Sequence, residues 1–488
     1  MKWANPLVAL TSALVLVIEI VAARMVAPYV GVTLETFSAV IGCVLAAIAL
    51  GNWVGGRLAD SLSPHRVIAA ACVLGGVAAG LAPGIVHRLG PGLAGDEPVR
   101  ALALTVLAFA LPCAALSAVS PVVVRHLGAD TTRLGRVAGN VSAFATVGAL
   151  LGNFGAGFWL VGRFGSTAIL LGAGAVAVGV GATIGTNAIV RRKVVLVGVT
   201  ATSAVAVVGM GSLADARTPC TIETEYVCLS IDEVAPGEFH VRSNIYSSSY
   251  TVVDDPTTLR LPYARDVAAA LELAAPGADH VVSIGGGGET LIRYLAATRP
   301  QASQTVIEID DSLARSVRDR LGPFANDDRV ETVVGDARLV IDAWDAAPAD
   351  VVIGDAFSGL SVPWHLTTRQ FLSSIERSLT SQGIYVMNIV DAGNYDLARA
   401  ELATLQTVFD DVVVLARGAV FEPDGPNTNL VVIVGAELPD ASDFEVAARN
   451  QGSSSVAISG PALDAFVAGA EILTDDRAPT DQLVDVGR

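Results

Sequence analysis

Lysine is nearly missing: among 488 residues only Lys2 and Lys193 carry it, a bias that codon usage explains as readily as physics. Acids are scarce before residue 214, where 13 Lys and Arg stand against 6 Asp and Glu. After that point the balance reverses, with 18 basic and 42 acidic residues, and so negative a half repels phosphate. Nucleic acid is therefore not an expected partner. Five cysteines are present. Cys43, Cys72 and Cys113 lie in apolar runs and read as small apolar residues. Cys220 and Cys228 have no histidine or further cysteine near them in sequence, which speaks against a metal; outside the cytoplasm such a pair would close a small disulfide loop. No metal site is expected.

What is abundant is apolar. Hydrophobic residues make up 52% of the chain and the mean hydropathy is +0.56, beyond the ordinary range of soluble proteins. Seven segments reach the length a bilayer core demands: Pro6–Pro28, Phe37–Gly56, Val67–Val86, Ala101–Val124, Ala138–Val161, Thr167–Ile189 and Val194–Leu213. The first is too long for a cleavable signal peptide, and six more follow it. Small residues recur four apart, as in Gly148, Gly152 and Ala156, a spacing that lets helices approach closely. Arginine and lysine collect in alternate loops: Arg57 and Arg66; Arg125, Arg133 and Arg136; Arg191, Arg192 and Lys193. That asymmetry predicts a multi-pass protein of the cell membrane with a cytoplasmic N-terminus. An odd number of spans then puts the acidic C-terminal half outside the cytoplasm. Two charges inside the first span, Glu19 and Arg24, are costly in hydrocarbon, and either pair with neighbours or serve function.

The acidic half is organised around residues 280–311. Val281 to Ile284 form a short β-branched run that breaks at Gly285, Gly286, Gly287 and Gly288. A helix-compatible stretch from Glu289 to Ala297 follows, then an apolar run, Thr305 to Ile309, closing on Glu308, Asp310 and Asp311. Strand, glycine turn, helix and strand with an acidic end make the first βαβ unit of a doubly wound sheet, with the acid placed to accept from ribose hydroxyls. The spacing is not that of a dinucleotide fingerprint, so a single nucleoside such as S-adenosylmethionine is the expected ligand. Further acids, Asp336 and Asp355, end later strands and are predicted to line the same crevice as Glu308. A helix over Pro262 to Ala274 brings Tyr263 towards the turn. The expected organisation is a transmembrane bundle over 1–213, a small β subdomain and connector over 214–262, and an α/β Rossmann-type domain over 263–488.

Four motifs, Ile284-Gly285-Gly286-Gly287, Ile307-Glu308-Ile309-Asp310, Gly335-Asp336-Ala337 and Asp355-Ala356-Phe357-Ser358, resemble those of spermidine synthases, aminopropyltransferases on a methyltransferase-type fold. The span-two run Gly51–Asp60 and the terminal Leu473–Pro479 resemble bacterial members fused to a membrane bundle. The resemblance implies a transferase of polyamine biosynthesis whose co-substrate is decarboxylated S-adenosylmethionine or S-adenosylmethionine, with no covalent cofactor. It implies that Gly285, Gly286, Gly287, Glu308, Asp310, Asp336 and Ala337 hold the nucleoside. Asp355 would take a proton from the amine, with Tyr263 beside it. The acceptor would be a small amine or a membrane-associated molecule, the lipid bilayer a partner, and a homodimer a candidate assembly. Four positions depart from the family: Gly288 and Glu289 stand where it reads Asp-Gly, Ser358 replaces the second acid of its D-x-x-D loop, and Ala264 replaces a glutamine. These are the positions that recognise charged amine ends, which keeps two rivals in view: a methyltransferase, and a transporter-like bundle with a degenerate nucleoside domain.

Overall fold

The structure, a computed structural model, describes residues 3–31, 34–93, 97–128, 134–187, 220–244, 246–324, 327–357, 359, 361–421 and 425–484. The seventh apolar segment Val194–Leu213, its flanking Arg191, Arg192 and Lys193, and Ser358 of the site motif lie outside these residues. The chain divides into two compact units, Met1–Cys228 and Leu229–Arg488.

Among the described residues of the first unit six helices are long and apolar enough to cross a membrane: α1 (Ala4–Val30), α2 (Thr36–Ser61), α3 (Pro64–Gly92), α4 (Val99–Leu127), α5 (Leu134–Leu160) and α6 (Ser166–Gly185). Small residues set how closely they meet. A Cβ on Gly148 or Gly152 would fall 1.9 or 2.3 Å from the carbonyl oxygens of Ala9 and Ala13, so α5 and α1 touch backbone to backbone. Gly51 and Gly55 of α2 meet Ala114 and Ala118 of α4 in the same way. Arg24 does not pair with Glu19: its guanidinium donates to the carbonyls of Thr224 and Glu225 and lies 3.5 Å from the Glu223 carboxylate. That carboxylate also accepts from Ser166 N at 2.9 Å and from the Ser166 hydroxyl. Cys220 and Cys228 are joined by a disulfide that closes this segment.

The second unit begins with an antiparallel meander, β2 (Cys228–Ala235), β3 (Glu238–Ser243) and β4 (Tyr246–Val252), after the two-residue β1 (Ile222–Glu223) of the first unit. Helix α7 (Pro262–Ala274) then leads into a mixed sheet whose strands run in the order β12-β10-β11-β9-β8-β5-β6-β7. Its parallel part holds β5 (His280–Ile284), β6 (Ser303–Glu308), β7 (Val330–Val334), β8 (Ala349–Gly354) and the start of β9 (Leu379–Gly393). Strands β10 (Asp411–Ala416), β11 (Gly425–Gly435) and β12 (Val456–Ile458) add antiparallel. Alternate residues of the central strands face opposite layers: Val282 and Val352 pack on one side, Val281 and Val351 on the other. Burial on both faces explains the unbroken apolar runs of the sequence. Crossover helices include α8 (Thr290–Thr298), α9 (Asp311–Leu321), α10 (Ala337–Asp342) and α11 (Arg369–Ser378). The terminal Leu473–Pro479 segment folds back on this unit: Asp475 accepts from both Arg338 nitrogens at 3.1 and 2.9 Å and from Thr368 Oγ1 at 2.7 Å.

Candidate active site

Strand β5 lies centrally, between β8 and β6, so the turn at its carboxyl end falls between Asp355 and Glu308. Gly285 has φ +92°, and a Cβ there would sit 2.5 Å from the carbonyl oxygen of Asp355. Only glycine tolerates both demands. The Asp355 N–H donates back to Ile284 O at 2.9 Å, so the turn and the residue after β8 are fastened together.

Glu308 is buried, and its carboxylate is held from two sides, Oε2 accepting from Gly286 N at 2.8 Å and Oε1 from Asp310 N at 2.9 Å. Burial pushes this carboxyl up; the N–H groups of Asp310, Gly286 and Gly287 pull it back. A carboxylate offers about four acceptor sites, so these N–H groups leave capacity to accept from a ribose hydroxyl. The Asp310 side chain caps α9, its Oδ1 accepting from Leu313 N at 3.0 Å.

Asp355 is only partly enclosed. Its Oδ2 accepts from Tyr263 Oη at 3.1 Å and its Oδ1 from Asn388 Nδ2 at 2.8 Å. Asn388 in turn accepts from Asn429 Nδ2 at 2.9 Å, a relay across β9 and β11. Desolvation raises the Asp355 carboxyl above the usual range, opposed by the Asn388 and Tyr263 donors. The same surroundings, with the Asp355 charge, hold the Tyr263 phenol well above its ordinary value, so it stays a donor. A carboxylate with raised affinity for protons, oriented by two side chains and partly open, is equipped to accept a proton.

The structure thus gathers Glu308, Gly285, Gly286, Asp355 and Tyr263 around one turn. Asp336 follows Gly335, whose N–H donates to Glu308 O at 3.0 Å, and its own carboxylate has further partners. Its Oδ1 caps α10 by accepting from Arg338 N at 2.8 Å, and its Oδ2 lies 3.2 Å from His365 Nε2. Ala337 is buried in the core beneath. Sequence reasoning missed Asn388, Asn429 and His365. Asn388 had a signal, a lone amide in the apolar run of β9, the strand beside the one that leads to Asp355.

The departures from the family pattern acquire physical reasons. Glu289 adopts the left-handed region at φ +62° and is buried. Its Oε2 accepts from Arg293 at 2.7 Å and its Oε1 from Arg318 at 3.0 Å. Its carboxylate is therefore already bound within the protein. At Gly288 a Cβ would fall 1.6 Å from Ser249 Oγ of β4, so the meander occupies the space a side chain there would need.

Residues 261–415 match the model of the spermine/spermidine synthase domain. The polyamine aminopropyltransferase of Vibrio vulnificus is 32% identical over 162 residues, covering 32% of this chain and 52% of that protein. The one of Chromobacterium violaceum is 28% identical over 149 residues, covering 30% and 56%. The chain thus spans about half the length of the curated relatives it matches. A crystal structure of a probable spermidine synthase from Corynebacterium glutamicum, 29% identical, aligns over 51% of this chain and 92% of that one with a TM-score of 0.46. Beginning at the helix that carries Tyr263 and ending in β10, residues 261–415 are a spermine/spermidine synthase domain, and this chain has polyamine aminopropyltransferases as its homologues.

Proposed function

We propose that this protein is a membrane-anchored, spermidine synthase-like transferase that uses an S-adenosyl-type donor and Asp355 as its base. The observation that carries the reading is the Tyr263–Asp355–Asn388 arrangement against Gly285, which sets an oriented carboxylate beside the turn suited to a nucleoside.

Glu308 would accept from the ribose, and Gly286 lets the backbone come close to it. A protonated amine has no lone pair to donate. Asp355 takes its proton, and the freed nitrogen attacks the carbon next to the sulfonium. The N–C bond forms as the C–S bond breaks, and the sulfur leaves as a neutral thioether with the electron pair. The chain's share of the chemistry is orientation and proton acceptance, the second worth about 10²–10⁴ in rate.

The six apolar helices support anchoring in a bilayer. Loop charges and the Cys220–Cys228 disulfide support a C-terminal domain outside the cytoplasm, where disulfides persist. Such a placement favours a membrane-associated or exported amine as acceptor. Calorimetry of the purified full chain with S-adenosyl compounds tests the donor site; absence of any binding removes the proposal. Thiol labelling of intact cells tests the placement: Cys220 and Cys228 should react with an impermeant reagent only after reduction, and labelling from the cytoplasmic side without reductant would overturn it.

A further inference from the structure

The far end of the donor turn is built unlike a site for a cationic tail. Where the resemblance expects an acid to receive an ammonium, Gly288 leaves none, and Ser249 Oγ fills the space. The neighbouring acid, Glu289, is engaged by Arg293 and Arg318. Ser249 is itself 3% exposed, and its hydroxyl has no hydrogen-bond partner among the described residues. A buried hydroxyl without a partner costs free energy that a bound group can recover. It lies beside Gly288, two residues from the start of α8, where unpaired N–H groups and the helix dipole favour negative charge. Thr251 Oγ1 donates to Gly288 O at 2.7 Å and meets Thr290 Oγ1 at 2.7 Å, fixing β4 against this helix start.

We infer that the donor carries a carboxylate on its tail: S-adenosylmethionine itself rather than the decarboxylated form, with the Ser249 hydroxyl donating to that carboxylate at the N-terminus of α8. This rests on the nucleoside site proposed above and specifies its ligand. Both donors carry an ammonium, which the positive end of a helix disfavours here; only S-adenosylmethionine has a second tail group to put in its place. A carboxylate meets a donor and a favourable dipole.

Three probes separate the possibilities on the full-length protein in detergent: S-adenosylmethionine, its decarboxylated form, and methylthioadenosine, which lacks the charged tail. The expected result is tightest binding of S-adenosylmethionine, with the decarboxylated form no tighter than methylthioadenosine. Ser249→Ala should weaken S-adenosylmethionine about tenfold, the loss of one charge-assisted hydrogen bond, and leave methylthioadenosine unchanged. The pair Ser249→Gly with Gly288→Asp should reverse the order in favour of the decarboxylated donor. Tighter binding of the decarboxylated form by the unaltered protein, by about tenfold, overturns the inference, as does an unchanged S-adenosylmethionine affinity in Ser249→Ala. Failure of all three probes to bind marks a different fault, the loss of the nucleoside site itself, and removes both readings.

Discussion

Replacing Glu289 by Gln separates two roles for this acid, donor ligand or internal counter-ion. In the structure it lies between two guanidiniums, Arg293 at 2.7 Å and Arg318 at 3.0 Å, with the Glu289 and Arg293 side chains 6% and 4% exposed. Arg293 also donates to the carbonyls of Pro323 and Gly322, at the end of α9. Removing one charge from a buried pair typically costs about 3–5 kcal/mol, because the remaining charge is left uncompensated. Three features place Glu289→Gln at the low end, near about 3 kcal/mol by that scale: glutamine keeps one acceptor oxygen, Arg293 keeps its carbonyls, and the Arg318 side chain is 29% exposed. For a domain of this size about 1 kcal/mol moves the melting temperature by about 2–4 °C, so a fall of about 6–12 °C is expected. Thermal unfolding of the full chain in detergent, followed by intrinsic fluorescence, reads this directly. Affinity for methylthioadenosine at a temperature where both proteins are folded should be unaltered. An unchanged melting temperature together with weaker binding of an ammonium-tailed donor would refute the reasoning and return Glu289 to the donor site.

Asp355→Asn should lower turnover at least about 100-fold while nucleoside binding persists. It also has a stability signature. A carboxyl whose folded-state pKa is raised binds its proton more readily folded than unfolded, so its burial penalty grows as pH rises through that window and vanishes below it. The variant should therefore gain stability over wild type near neutral pH and lose the gain in acid; a pH-independent difference would count against the assignment. Tyr263→Phe removes a donor that lowers the Asp355 carboxyl, so the acid limb of the pH–rate profile should move to higher pH; an unmoved limb would detach Tyr263 from the base. Asp475→Ala loses contacts to Arg338 and Thr368, but its side chain is 40% exposed, so only about 1 kcal/mol is expected in a denaturant titration. A loss several times larger would mean that the terminal segment holds more of the domain than these contacts do.

The central βαβ unit was legible because its parts are local. A β-branched run, a glycine break, a helix-compatible stretch and an acid each announce themselves within a few residues, and the run Val281 to Ile284 lies within strand β5. The choice of partners was not legible. Whether Glu289 faces a ligand or an arginine depends on Arg318, 29 residues further on and on another helix. Asp336 reads like Glu308 in sequence, both being acids after apolar strands, yet β7 is an edge strand and His365 reaches its carboxylate. Ser249 carries no motif; only the docking of β4 on the glycine turn reveals its hydroxyl. In the first unit the small-residue spacing foretold a close helix contact at Gly148 and Gly152, and the structure supplies α1 as the partner. Arg24, by contrast, finds its partners some 200 positions away, at Glu223 to Glu225, which no local pattern encodes.

The glycine turn and the strand that presents Asp355 interlock at Gly285, one through a carbonyl that leaves no room for a side chain, the other through the Asp355 amide. Neither half can shift by itself. Under the function proposed above, a nucleoside that displaced the turn would displace the Asp355 carboxylate with it, so occupancy of the donor site would be felt at the base through this one packed contact.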